Sequence, residues 1–175
     1  MALDLTRLRR TAVIAVEQYD LQATAQYAKA YCSQEVCRLL EQADALLEHR
    51  FVFCDRWDME PCHIPYTVDP GQWTQSPNGD PEWVFMLNRQ DYLPKLWQAA
   101  VLTGKKKYTQ KLVELVLDWI ASNIITEEGT PATRTIDTGI RCMNWCRLLP
   151  FLLALALAAA VDLSIRYLPG RFLPD

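Results

Sequence analysis

The chain has 175 residues, 50% of them hydrophobic and 22% charged, with a formal net charge of −3 and a pI near 5.4. That is chain enough for a single domain, 1–175, burying about 70% of its unfolded surface without disulfides or metal. The acidic balance excludes a general nucleic-acid binder, which would be basic, but still allows a local basic cleft that faces an acidic polymer.

In chain order, Met1 to Val16 carries Arg7, Arg9 and Arg10 ahead of a short apolar stretch. Glu17 and Gln18 break that stretch and no small-residue cleavage site follows, so no export signal is read and a cytoplasmic location is expected. Leu3 to Tyr31 is helix-rich, with a break near Asp20 and Leu8, Ala12, Ala15 and Val16 at helical spacing. Ser33 is the expected N-cap of a helix over Gln34 to His49, whose Val36, Leu39, Leu40, Ala43, Leu46 and Leu47 share one face.

Residues 51–82 differ in kind. Pro61, Pro65, Pro70, Pro77 and Pro81, with Asn78-Gly79, exclude a continuous helix. A short strand over Phe51-Val52-Phe53 and an otherwise irregular segment are expected, and irregular segments of this length are often functional. Trp57 and Trp73 lie within it, where a surface role is credible.

Helices resume near Asn88, with Leu93, Leu96, Trp97, Ala100 and Val101 on one stripe and Gly104 as a left-handed cap. Lys105 to Asn123 is the clearest helix, with Tyr108, Leu112, Leu115, Val116 and Trp119 recurring. Lys105-Lys106-Lys107 sits at its N-terminal end, where the helix dipole disfavours positive charge. It reads as a solvated basic turn ahead of a ligand site. Thr126 to Thr133 is a polar loop, and a helix from Thr135 to about Val161, bent at Pro150, follows. The apolar run Leu148 to Val161 falls short of the roughly 20 residues of a membrane span and reads as buried helix. Residues 162–175 form an expected irregular tail.

The six cysteines read as free thiols. Cys142 and Cys146, four apart on a helix, are too distant for an unstrained disulfide. Cys54, Cys62 and His63 lack a CxxC unit, so no metal or other cofactor is expected. His49 and His63 are the only histidines, and neither sits in a recognisable catalytic motif.

Two clusters carry possible binding chemistry. Asn88 and Arg89 follow Glu82-Trp83-Val84-Phe85-Met86-Leu87. Arginine can grip a carboxylate or sulfate in bidentate fashion, and asparagine can donate to the same group. The plainer reading pairs Arg89 with Glu82 or Asp91 and makes Asn88 a helix cap. Arg141, Asn144 and Trp145 share one helix face. That face suits either a cleft for an anionic sugar or a helix contact in which Arg141 bonds Asp137. Trp73 and Trp145 are candidate stacking platforms for a pyranose, while Trp97 and Trp119 read as core.

These pieces together resemble the N-terminal region of the heparinase II/III family of polysaccharide lyases. The resemblance rests on Ala43-Asp44-Ala45-Leu46-Leu47 leading to Phe51-Val52-Phe53, then Asp69-Pro70-Gly71-Gln72-Trp73 and Glu82-Trp83 to Leu87-Asn88-Arg89. It continues through Leu102-Thr103-Gly104 to Tyr108, Asp118-Trp119-Ile120, and Gly139-Ile140-Arg141 to Asn144-Trp145, covering about residues 35–153. It implies an all-α fold, an incomplete (α/α) toroid of helical hairpins. It also implies β-elimination on uronate-containing polysaccharides such as glycosaminoglycans or alginate. The family's Asn-His pair and tyrosine segment have no counterpart after Trp145, and Tyr167 lies in unlike surroundings. A fragment that binds acidic polysaccharide through Asn88, Arg89, Arg141, Asn144, Trp73 and Trp145, without the catalytic set, is therefore expected. A stand-alone carbohydrate-binding or scaffold module is the alternative. Self-association, or a missing C-terminal domain, would complete the fragment.

Overall fold

The computed structural model describes residues 7, 10, 11, 17–55, 61–124 and 126–167, with side chains described as far as Leu153. Six helices and two strands are described: α1 (Leu21–Tyr31), α2 (Ser33–Leu47), β1 (Arg50–Phe53), β2 (Cys62–Thr67), α3 (Pro81–Arg89), α4 (Leu93–Thr103), α5 (Lys106–Ser122) and α6 (Thr135–Tyr167). The chain is thus mostly helical, with a small sheet that an all-α reading omits. It divides into two compact units, one of residues 1–20 with 146–175 and one of Leu21–Trp145. Most side chains of the first lie outside the described residues, as do the expected apolar positions Leu8, Ala12, Ala15 and Val16. The fold below is that of the second.

α4 is its organising element. Leu93, Leu96 and Ala99 are fully buried on it, and it packs against α1, α2 and α5. The facing stripe of α5, with Tyr108, Leu112, Leu115 and Trp119, is buried as its spacing predicts. Gly104 ends α4 at φ 69° and donates its N–H to the Ala100 carbonyl at 2.8 Å, the left-handed cap that glycine adopts without strain.

Three expectations change. The N-cap of α2 is Cys32 rather than Ser33, without a side-chain cap bond. The Cys32 N–H still bonds the Ala28 carbonyl, so the chain passes from α1 to α2 with little break. The segment 51–82 is not irregular throughout, because β1 and β2 pair antiparallel with Phe51 opposite Tyr66 and Phe53 opposite Cys62. Pro65 fits because a two-stranded sheet leaves each strand an open edge on which a missing N–H costs nothing. Finally, helix resumes at Pro81, not near Asn88. Asp80 accepts from the Glu82 N–H at 2.9 Å and Pro81 occupies the first turn, a start signal hidden among the prolines of the preceding loop.

The sheet and α3 enclose an aromatic cluster. Phe51 meets Tyr92 edge-on at 5.0 Å, and Phe53 and Tyr66 meet Trp83 at 5.3 and 6.0 Å, the geometry aromatic quadrupoles favour. α6 runs through Pro150 to Tyr167, which shortens the expected irregular tail to residues outside the description. No described helix is long and apolar enough to cross a membrane.

Candidate functional site

Five of the six residues singled out from sequence meet in one polar seam where the C-terminal end of α3 faces the first turns of α6, and the sixth, Trp73, reaches it through its backbone carbonyl. Asn88 is fully buried. Its amide donates to the Trp73 and Val84 carbonyls at 2.8 Å each, and its oxygen accepts from the Trp119 indole at 2.8 Å. Every hydrogen-bonding position that matters on this side chain is taken by protein. It lies inside α3 and does not cap it.

Arg141 is equally enclosed, at 2% exposure. One terminal nitrogen donates to the Asn88 and Ala132 carbonyls at 2.8 and 3.0 Å, and the other to the Thr138 hydroxyl at 3.0 Å. Its guanidinium lies over the Trp119 ring, 3.7 Å from the centroid, and burial lowers its pKa. Asn144 donates to the Arg89 carbonyl at 3.0 Å and to the Asp91 carboxylate. The Trp145 indole donates to Gln90 at 2.6 Å and its ring meets Trp119 edge-on at 5.7 Å. The seam thus tethers the backbone of residues 88 and 89 to α6 through two side chains, a connection that apolar packing would not fix in register.

Arg89 pairs neither with Glu82 nor with Asp91. Its Nε donates to Asp137 at 2.7 Å, with that carboxylate fully buried. Asp137 therefore does not bond Arg141, although it lies one turn before it on the same helix. Its second oxygen lies 3.4 Å from the Arg134 Nε. One buried carboxylate is shared by two arginines.

Trp73 is buried, contrary to a surface platform. Its indole donates to Asp118 at 2.8 Å, and the same oxygen accepts the Gly71 N–H at 2.9 Å. This pins the Asp69-Pro70-Gly71-Gln72-Trp73 turn onto α5. Gly71 has φ 81° there, which explains glycine at that position. Trp57 lies outside the described residues.

Two further polar clusters lie along α5. Lys107 and the Tyr108 hydroxyl both reach Asp44, at 2.8 and 2.9 Å, so one of the three lysines is paired rather than simply solvated. Lys111, only 8% exposed, contacts His49 at 2.9 Å and Glu114 at 2.7 Å. All six cysteines are free thiols.

Beside the seam lies an open groove of about 1000 Å³ between Phe85 of α3 and the loop from Thr126 to the start of α6. Glu127, Glu128, Thr130, Arg134 and Thr138 are among the residues that line it. It borders the seam through Thr138, whose hydroxyl Arg141 holds, and through Arg134, whose partner is Asp137.

With this geometry in view, the comparison with known families is decisive. The description "Heparinase II/III N-terminus" matches residues 7–163. The chain belongs to the heparinase II/III N-terminal family. It is thereby a polysaccharide-lyase-related module, and the match takes in every residue of the seam. No curated protein and no solved structure matches significantly.

Sequence reasoning found the heparinase II/III clusters but not all of their partners. Gln90, Asp91 and Trp119 lie outside the candidate set, and Asp137, offered as one alternative partner of Arg141, pairs instead with Arg89. Arg134 and Phe85 carried one available signal: an arginine three residues before an acid at a helix start, next to a loop of threonines and glutamates.

Proposed function

We propose that this module forms part of the substrate-side wall of a uronate polysaccharide lyase, within an (α/α) toroid, and that it binds acidic polysaccharide without itself supplying the proton transfers. Family membership over residues 7–163 supports a polysaccharide as the substrate class. The pairing of successive helices, α1 with α2 and α4 with α5, is consistent with a toroid of hairpins. The buried state of Asn88, Arg141 and Asn144 supports a positioning role for them. They hold α3 and α6 in register, and the sugar is met at the adjoining groove, where Arg134 and Phe85 are accessible.

Affinity electrophoresis of the chain through gels containing a uronate polymer or a neutral glycan tests this. Retardation by the uronate polymer alone is expected, and equal mobility in both gels overturns the reading. The pure chain is expected to generate no unsaturated uronate chromophore. Its appearance would show that the module supplies acid and base itself.

A further inference from the structure

The groove beside the seam has a lining of mixed sign. Arg134 is fixed on two sides. Its guanidinium lies 3.5 Å from the Phe85 ring centroid, and its Nε faces buried Asp137 at 3.4 Å. Its side chain is 40% exposed, and its two terminal nitrogens have no protein partner among the described residues. A guanidinium so held presents one edge of two parallel donors with little rotamer freedom left to lose, the arrangement that grips a planar carboxylate. Because Arg89 shares Asp137, the acid does not neutralise Arg134 fully, and the trio carries net positive charge.

The rest of the lining has the opposite character. Glu127 and Glu128 are exposed and form no ion pair among the described residues. Threonines 126, 130, 133, 135 and 138 add hydroxyls. Carboxylates that accept and hydroxyls that both donate and accept suit sugar hydroxyls. The same two carboxylates repel additional anions.

Resting on the reading that the module binds uronate polymers, we propose that this groove takes an unsulfated uronate oligosaccharide and disfavours a sulfated one. Arg134 holds one carboxylate, and Glu127, Glu128 and the threonines receive neighbouring hydroxyls. A sulfated glycosaminoglycan places several more anions on each disaccharide, against Glu127 and Glu128.

The test is calorimetric titration of the full chain with three oligosaccharides of matched length: unsulfated hyaluronan, carboxyl-reduced hyaluronan and heparin. Hyaluronan is expected to bind, with carboxyl reduction costing about tenfold and heparin binding no more tightly than hyaluronan. Arg134→Gln is expected to lose the same factor while keeping a single cooperative melting transition, at a lower temperature because buried Asp137 loses one of its two arginines. Arg134→Lys is not expected to restore it, since an ammonium lacks the planar fork. Glu127→Gln with Glu128→Gln is expected to strengthen heparin binding. Tighter binding of heparin by the unaltered chain, or full hyaluronan affinity in Arg134→Gln, overturns the assignment while leaving uronate binding intact. If no uronate polymer binds at all, the broader functional reading falls with it.

Discussion

Asn88 shows how one side chain can join three separate parts of a fold. Its amide joins the turn at Trp73, the backbone of α3 and the indole of Trp119. Asn88→Ala is expected to leave the Trp119 N–H and the Trp73 carbonyl buried without partners, at about 2–4 kcal/mol of stability. Urea titration should show a lower midpoint with an unchanged slope, and a midpoint within error of the parent would remove Asn88 from the seam's core. The residue types were legible in the sequence, because Asn, Arg and Trp among apolar neighbours is a rare mixture. Their partners were not. Asn88 and Trp119 are 31 positions apart and Arg89 and Asp137 are 48 apart, and no local period reports on such separations.

At the scale of elements, helices with strong periodicity were read correctly and those with punctuated starts were not. α5 and the Gly104 cap followed from spacing and from glycine's tolerance of positive φ. α3 was missed at its beginning because Pro81 closes a run of prolines, and proline both breaks helices and opens them. The capping bond settles which role Pro81 plays. Asp80→Ala is expected to cost about 1 kcal/mol and to increase amide exchange in the first turn of α3, whereas unaltered exchange would show that Pro81 alone fixes the start. β2 was missed for a related reason. Ile64 is 60% exposed and His63 and Pro65 are also exposed, so the strand lacks the alternation that marks a half-buried one.

For the whole molecule, charge and surface set the conditions under which it holds together. The Lys111 ammonium keeps the Glu114 carboxyl below its usual range, and Lys107 does the same for Asp44. A lowered folded pKa gives stability that is present above the unfolded value and lost as pH falls through the carboxylate range. At the other limb, burial raises Tyr92, burial raises Tyr108, and the Asp44 contact raises Lys107. Stability is therefore lost again as pH rises through the tyrosine and lysine ranges. Lys111→Met is expected to flatten the acid limb of a melting temperature against pH profile, and an unchanged limb would show that Glu114 does not contribute. The outer face of α5 carries Val113, Leu117 and Ile120, all exposed and on one stripe. An apolar stripe left to water favours association. Sedimentation velocity is expected to show concentration-dependent oligomers that Leu117→Glu with Ile120→Glu disperses, and a monomer at all concentrations would mean that the stripe tolerates solvent.

The stacking of Arg141 on Trp119, with Trp145 edge-on to the same indole, has an optical consequence. Trp73, Trp83 and Trp119 are at most 4% exposed, so their emission belongs at short wavelength while the seam is closed. A guanidinium against one ring and hydrogen bonds on two of these indole nitrogens make that emission sensitive to movements too small to unfold a helix. An oligosaccharide in the proposed groove is expected to press on Thr138, whose hydroxyl accepts from Arg141, and the Arg141 guanidinium lies over the Trp119 ring. Tryptophan emission is therefore expected to shift on addition of a uronate oligosaccharide, readable without any label, and unchanged emission on binding would show that the seam does not respond to the groove.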